Sequence, residues 1–403
     1  EKINRSSRMS FRVALAYAHH ESAIGNNKRA LTILNDYTRK TGTAAHPVAK
    51  DLVKRLRAGE NVGLLVSTPQ EGISEIFYGL GEALATEGGI GVGAVYLQMA
   101  IYLNPKSPFT HTALANIYET TKNYAEAIES YNQVPPGSPL EEAIEIRKAQ
   151  NLNLLHRLDD AKAILQKMIA ANPKDIQPLE AMGSILRSNK HYKESIGYYT
   201  KVISLIGKPQ SRHWTYFYSR GTNYERIKNW PLAEADLKTA LRLSPDQPLI
   251  LNYLGYSWVD QGINLQEGLR LINKAVQLKP GDGYIVDSLG WAYYKLGDFK
   301  QAVEYLDRAV ELKPEDPTLN DHLGDAFWRT GRKREARFQW QQALTLKPEP
   351  EDARRIEEKL RTGLPALAKT KKKTGRKARA VRKHHHRHKA EAKPASNSVP
   401  AYQ

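Results

Sequence analysis

The sequence predicts an all-α protein, an α-solenoid of stacked helix pairs, and three observations predict it. The stretch "GWAYYKLGDFKQAVEYLDRAVELKP" from Gly290 to Pro314 is answered thirty-four positions later by "GDAFWRTGRKREARFQWQQALTLKP" from Gly324 to Pro348. A fixed interval of that length marks a repeat array. Within each interval, apolar residues fall at positions four, seven, eight and eleven and again at twenty, twenty-four and twenty-seven, the spacing of two amphipathic helices. Small residues punctuate every interval in the same frame, and a proline ends all but one.

With Leu289 and Gly290 as positions seven and eight, the frame extends backward to eight units, beginning at Ser74, Pro108, Glu142, Ile176, Trp214, Pro248, Gly283 and Pro317. Gln210 to His213 form a four-residue insertion between units, and one extra residue falls near Ile263. Position eight holds Gly81, Ala115, Ala149, Gly183, Gly221, Gly255, Gly290 and Gly324, where a larger side chain would hold the partner helix away. Position twenty holds Gly93, Ala127, Ala161, Ser195, Ala233, Gly268, Ala302 and Ala336, so the helix crossing is specified twice per unit. Pro105, Pro139, Pro173, Pro245, Pro280, Pro314 and Pro348 end the units, because proline lacks the amide hydrogen and disfavours helix in the residue before it. The fourth unit has Gly207 and the insertion instead.

This pattern resembles the tetratricopeptide repeat family, as a bacterial-type array, over roughly Ser74 to Pro350. The resemblance implies a right-handed solenoid in which each unit completes its core on its neighbours. The expected organisation is a degenerate N-terminal helical region over 1–73, eight units over 74–350, a capping helix over 351–367 and a basic tail over 368–403. The first region holds a helix pair over Phe11 to Tyr37, then a basic amphipathic helix and an extended Gly/Pro-containing stretch between His46 and Ile73. The cap is "EDARRIEEKLR" from Glu351 to Arg361, with a polar outer face.

Composition excludes several function classes. The chain has no cysteine, hence no disulfide, thiolate metal site or cysteine nucleophile. No apolar run reaches the roughly 18 residues that a membrane-spanning helix needs. The net charge of +17 is concentrated at one end: twelve Lys/Arg stand against the single Glu391 between Lys369 and Lys393. A chain opening Glu1-Lys2-Ile3 points to processing or to a longer parent, so the expected compartment is the cytoplasm or, if an upstream export signal was removed, the bacterial cell envelope.

No motif supports catalysis or a cofactor. "GGIGVGA" from Gly88 to Ala94 fits a loose dinucleotide fingerprint but stands at an inter-helix turn, without the preceding strand a phosphate loop requires. "HHE" at His19 to Glu21 lacks the second histidine of a zinc-protease motif. A non-enzymatic scaffold that grips a partner protein or peptide is the expectation.

In the resembled family, positions two, five, nine, twelve and thirteen of the first helix line a concave groove. Carried over to the last three units, the resemblance places Leu249, Asn252, Tyr256, Val259 and Asp260, then Tyr284, Asp287, Trp291, Tyr294 and Lys295, then Thr318, Asp321, Asp325, Trp328 and Arg329 there. The best anchors are Tyr256, Asp260, Tyr284, Asp287, Trp291, Tyr294, Asp321, Asp325 and Trp328, since aromatic residues dominate binding energetics. Trp258 and Trp340, at positions eleven and twenty-four, belong to the core. The clamp by which some family members hold acidic chaperone tails is incomplete: Asn116 stands at a suitable ninth position, but no unit has Lys at position five, and position two of the fourth unit is Gln177. The aspartates then favour a basic or apolar peptide.

The tail carries Lys371, Lys372, Lys373, Arg376, Lys377, Arg379, Arg382 and Lys383, lacks apolar periodicity and reads as disordered. Its charge suits nucleic acid or an anionic membrane surface, the alternative function, while His384, His385, His386 and His388 offer a weak metal site. Docking of the tail on Asp287, Trp291, Asp321, Asp325 and Trp328 is a further expectation.

Overall fold

The structure is a computed structural model that describes residues 10–41 and 46–366. All regular secondary structure among the described residues is helical. Three helices come first: α1 (Phe11–Ala23), α2 (Asn27–Thr41) and α3 (Pro47–Arg57). Eight pairs follow: α4 (Pro69–Thr86) with α5 (Ile90–Leu103), α6 (Pro108–Thr120) with α7 (Tyr124–Asn132), α8 (Glu141–Leu154) with α9 (Leu158–Ala171), and α10 (Ile176–Ser188) with α11 (Tyr192–Leu205). After a 3₁₀ turn at Ser211–His213 come α12 (Trp214–Arg226) with α13 (Trp230–Leu243), α14 (Pro248–Asp260) with α15 (Leu265–Leu278), α16 (Gly283–Leu296) with α17 (Phe299–Leu312), and α18 (Pro317–Arg329) with α19 (Lys333–Thr345). The helix α20 (Pro350–Thr362) closes the array.

Local chemistry sets the helix starts. Ser107, Asp175, Asp282, Asp298 and Asp316 accept hydrogen bonds from first-turn amides, and proline opens α4, α6, α14, α18 and α20, where its missing amide costs nothing. The first unit starts earlier than its frame predicts, at Pro69 rather than Ser74. Thr68 and Glu71 form a reciprocal capping box around Pro69, and this local cap extends the helix by a further turn. The second unit departs the other way. Its second helix ends at Asn132, well before Pro139, because Pro135 and Pro136 stop it, and Leu140 turns inward to fill the space left.

The small residues do what their positions require. A β-carbon on Gly255 would stand 2.8 Å from the Gly268 carbonyl, and one on Gly268 would stand 2.8 Å from the Gly255 carbonyl, so the two backbones touch directly. Ala115, Ala149, Ala127, Ala161, Ala233, Ala302 and Ala336 are fully buried at the equivalent places. Ser195 is buried too, and its hydroxyl donates to the Gly183 carbonyl at 2.6 Å.

Every turn between paired helices carries a left-handed residue at position fifteen: Gly88, Lys122, His156, Lys190, Lys228, Gly262, Gly297 and Gly331. Four units use glycine there, and four hold a side chain in a conformation that costs about 1–2 kcal/mol. Apolar residues from consecutive pairs merge into cores that run along the array. The core around Leu254, Trp258, Leu271 and Ile285 joins α14, α15 and α16, and that around Leu323, Phe327, Trp340 and Ile356 joins α18, α19 and α20.

Candidate binding groove

First helices of successive units touch one another directly, α4 with α6, α8 with α10, α10 with α12, α14 with α16 and α16 with α18. They therefore form the more closely spaced layer of the stack, which is its inner, concave side.

In its C-terminal half this side holds two adjoining pockets that share Tyr253 and Tyr256. One, of about 360 Å³, lies between α12 and α14 and is lined by Glu225, Arg226, Lys228, Trp230, Asp260 and Gln261 as well as the shared tyrosines. The other, of about 280 Å³, lies across α14, α16 and α18 and is lined by Asn252, Tyr284, Asp287, Asp316, Thr318 and His322. A lining residue of each carries a buried polar atom with no protein partner among the described residues: Trp230 Nε1, a donor, beside the first, and Asn252 Oδ1, an acceptor, beside the second. Buried polar atoms are nearly always hydrogen-bonded, so two bare ones beside neighbouring pockets stand out. Burial, with Asp260 and Asp287 nearby, pushes the Tyr256 hydroxyl up to about 12, so it stays a neutral donor.

The expected groove residues divide into two groups. Tyr256, Asp260 and Tyr284 line the pockets, with Tyr284 53% exposed and Asp260 3.1 Å from the Lys295 ammonium. Trp291 is half-buried and stacks between Tyr294 (4.6 Å, 4°) and His322 (4.0 Å, 17°). The aspartates do not form the free acidic wall expected of them. Asp287, Asp321 and Asp325 are 7%, 3% and 5% exposed and already hold internal cations. Asp287 meets His322 Nδ1 at 3.0 Å, while Lys359 Nζ of α20 donates to Asp321 at 2.7 Å and to Asp325 at 3.0 Å. Asp325 also accepts from the indole of buried Trp340 at 2.9 Å. Burial pushes the Asp325 carboxyl up, with Lys359 pulling against it.

Trp328 is covered from the C-terminal side. Gly363 packs against its ring with no room for a β-carbon, Lys333 sits 3.7 Å above it, and Arg329 donates to the Pro365 carbonyl at 2.7 Å. The groove of the last unit is thus occupied by α20 and the segment that follows, which removes the basis for docking a basic tail on these aspartates. Val259 also departs from its expected place: it is buried in the core, against Gly268. Trp258 and Trp340 are core residues as their positions require. The basic residues Lys371, Lys372, Lys373, Arg376, Lys377, Arg379, Arg382 and Lys383, and His384, His385, His386 and His388, lie outside the described residues.

The sequence reading missed Lys359, His322, Tyr253 and Trp230. His322 and Tyr253 share position six, which faces the neighbouring unit rather than the carried-over groove positions. Nothing in "EDARRIEEKLR" distinguishes Lys359 from its charged neighbours. Gly88 and Gly89 lie in the turn into α5 and Gly91 in its first turn, with helix rather than strand before them. Glu21 is buried and paired with Arg29 at 3.0 Å, and no group of three metal-ligating side chains occurs among the described residues.

Family models for the tetratricopeptide repeat match residues 110–134, 218–283 and 288–353. The chain carries tetratricopeptide repeats. The TPR chain is 29% identical over 195 residues, 48% of its own length, to a TPR repeat-containing protein of Pseudomonas aeruginosa. It is 26% identical over 132 residues, 33% of its length, to anaphase-promoting complex subunit 3 of Schizosaccharomyces pombe. These matches span 32% and 20% of the relatives' own lengths. Its fold is similar to the crystal structure of the APC/C hetero-tetramer Cut9–Hcn1, with a TM-score of 0.51 at 13% identity over 88% of this chain and 76% of that one. The architecture is that of a right-handed TPR solenoid. No helix among the described residues is long and apolar enough to cross a membrane.

Proposed function

We propose that this TPR protein is a non-enzymatic scaffold that holds an apolar peptide segment of another protein in the two pockets around Tyr256. The observation that carries the reading is a pair of adjoining pockets rich in tyrosine on the inner face, whose lining residues Trp230 and Asn252 each hold an unpartnered polar atom, Nε1 and Oδ1. A peptide backbone offers an acceptor and a donor in each residue, which is what a bare donor and a bare acceptor together require. Tyr253, Tyr256 and Tyr284 supply apolar surface with polar tips, the chemistry of binding hot spots. Charge contributes little here, because Asp287 is spent on His322 and Asp260 on Lys295.

The test is selection of binders from a displayed random-peptide library on the full chain, followed by titration of the winners against Tyr256→Ala and Asn252→Ala. Selected peptides should bind the variants at least about tenfold more weakly, a loss of about 1.4 kcal/mol. Peptides that bind all three proteins equally would place recognition elsewhere and overturn the assignment.

A further inference from the structure

A cavity of about 940 Å³ lies toward the N-terminal end of the groove, lined by residues of α1, α4 and α6 and of the segments around them. We propose that it is a docking site for an apolar segment of a partner protein that carries lysine or arginine. The inference rests on the scaffold reading above and adds a second seat of different chemistry, completed by α1 and by other residues outside the regular repeats.

The cavity floor is apolar. Phe11, Leu65, Val66, Phe109 and Leu140 line it, and Val13 and Ile76 stand at it 44% and 61% exposed. Apolar side chains that converge on one concavity differ from single exposed residues, because one partner segment covers them together.

The net charge of the lining is negative. Three carboxylates line the cavity, Glu75, Glu82 and Glu87, and the one lining cation, Arg12, balances Glu75, with Nε 3.1 Å from its carboxylate. Glu82 and Glu87 have no cationic partner among the described residues, and burial lowers the pKa of His46, which keeps that ring neutral. In a chain of net charge +17, a cavity with two unmatched carboxylates is locally inverted, and it selects cations and rejects acidic segments.

Arg12 shows how the floor handles a cation. Its guanidinium stands 4.1 Å over the Phe109 ring and 5.5 Å over Tyr78 while paired with Glu75. Its Nη1 is buried without an acceptor among the described residues.

The experiment titrates fluorescein-labelled amphipathic helical peptides, one of leucine and lysine and one of leucine and glutamate, into the full chain. The lysine peptide should bind, and the glutamate peptide should not. Ile76→Glu, at an exposed position that leaves the fold intact, should weaken the lysine peptide at least about tenfold. Glu82→Gln with Glu87→Gln should weaken it and flatten its salt dependence. Tyr256→Ala should leave it unchanged. Equal binding of both peptides, no binding of the lysine peptide, or indifference to Ile76→Glu overturns the inference. Loss on Tyr256→Ala alone also overturns it while sparing the reading of the Tyr256 pockets, which the library selection tests separately. A gain in affinity on removing residues 1–9 would identify the chain's own N-terminal segment as the occupant instead, and would count against a partner.

Discussion

At Gly290 a β-carbon would meet Leu306 Cγ at 2.6 Å and the Leu306 amide nitrogen at 3.0 Å, so side-chain repacking alone cannot make room. Gly290→Leu should therefore cost about 2 kcal/mol, within the range of about 1–3 kcal/mol for overpacked cores, read as a lowered urea midpoint. An unchanged midpoint would mean that α16 and α17 separate freely. His322 gives a pH test at the same scale. Burial alone would lower its pKa, but Asp287, Asp321 and Asp325 outweigh it and raise the folded value above the ordinary one near 6.5. A raised folded pKa makes the contribution of His322 complete below about pH 6.5 and lets it fade as the pH climbs through the folded value. The difference in melting temperature between the natural chain and His322→Gln should be largest in mild acid and shrink toward alkaline pH. A difference that grows with pH would show an imidazole buried neutral.

Among the elements, α20 depends most on a single side chain. Only Ile356 of this helix is fully buried, whereas Lys359 neutralises two carboxylates that solvent hardly reaches. Lys359→Met leaves Asp325 buried without its cation and Asp321 with Arg355 alone, at 3.7 Å, a loss of about 3–5 kcal/mol. Hydrogen exchange should show α20 released and Trp328 fluorescence shifted toward that of a solvated indole, and continued protection of α20 would contradict this. The helix pairs themselves were legible from sequence, because Gly255 and Gly268, or Gly290 and Ala302, recur wherever two helices must touch. Occupancy of the groove was not. Periodicity says which face of α18 points inward, but the fate of Asp321 and Asp325 depends on Lys359, thirty-four to thirty-eight positions away on a helix outside the repeat frame. The turns were half legible: Gly88, Gly262, Gly297 and Gly331 mark the left-handed position, while Lys122, His156, Lys190 and Lys228 hide it behind residue types that rarely adopt it.

Across the whole molecule, stability is a sum over neighbouring units, since each pair packs only on those beside it. The damage from Gly290→Leu should accordingly stay local: amides of α14 to α19 exchange faster while those of α6 to α9 keep their protection. Uniform acceleration along the chain would indicate a single cooperative block. The inner face is also bounded at both ends by the chain itself, by α1 beside α4 and α6 and by α20 with Gly363 to Pro365 over α18. A slot with two stops has a fixed capacity that does not grow with the length of what enters it. A partner carrying several copies of a segment that fits the Tyr256 pockets would therefore gather several molecules of this protein, one per copy, and bind no single one of them more tightly through that slot. Its repeats would be counted out as stoichiometry.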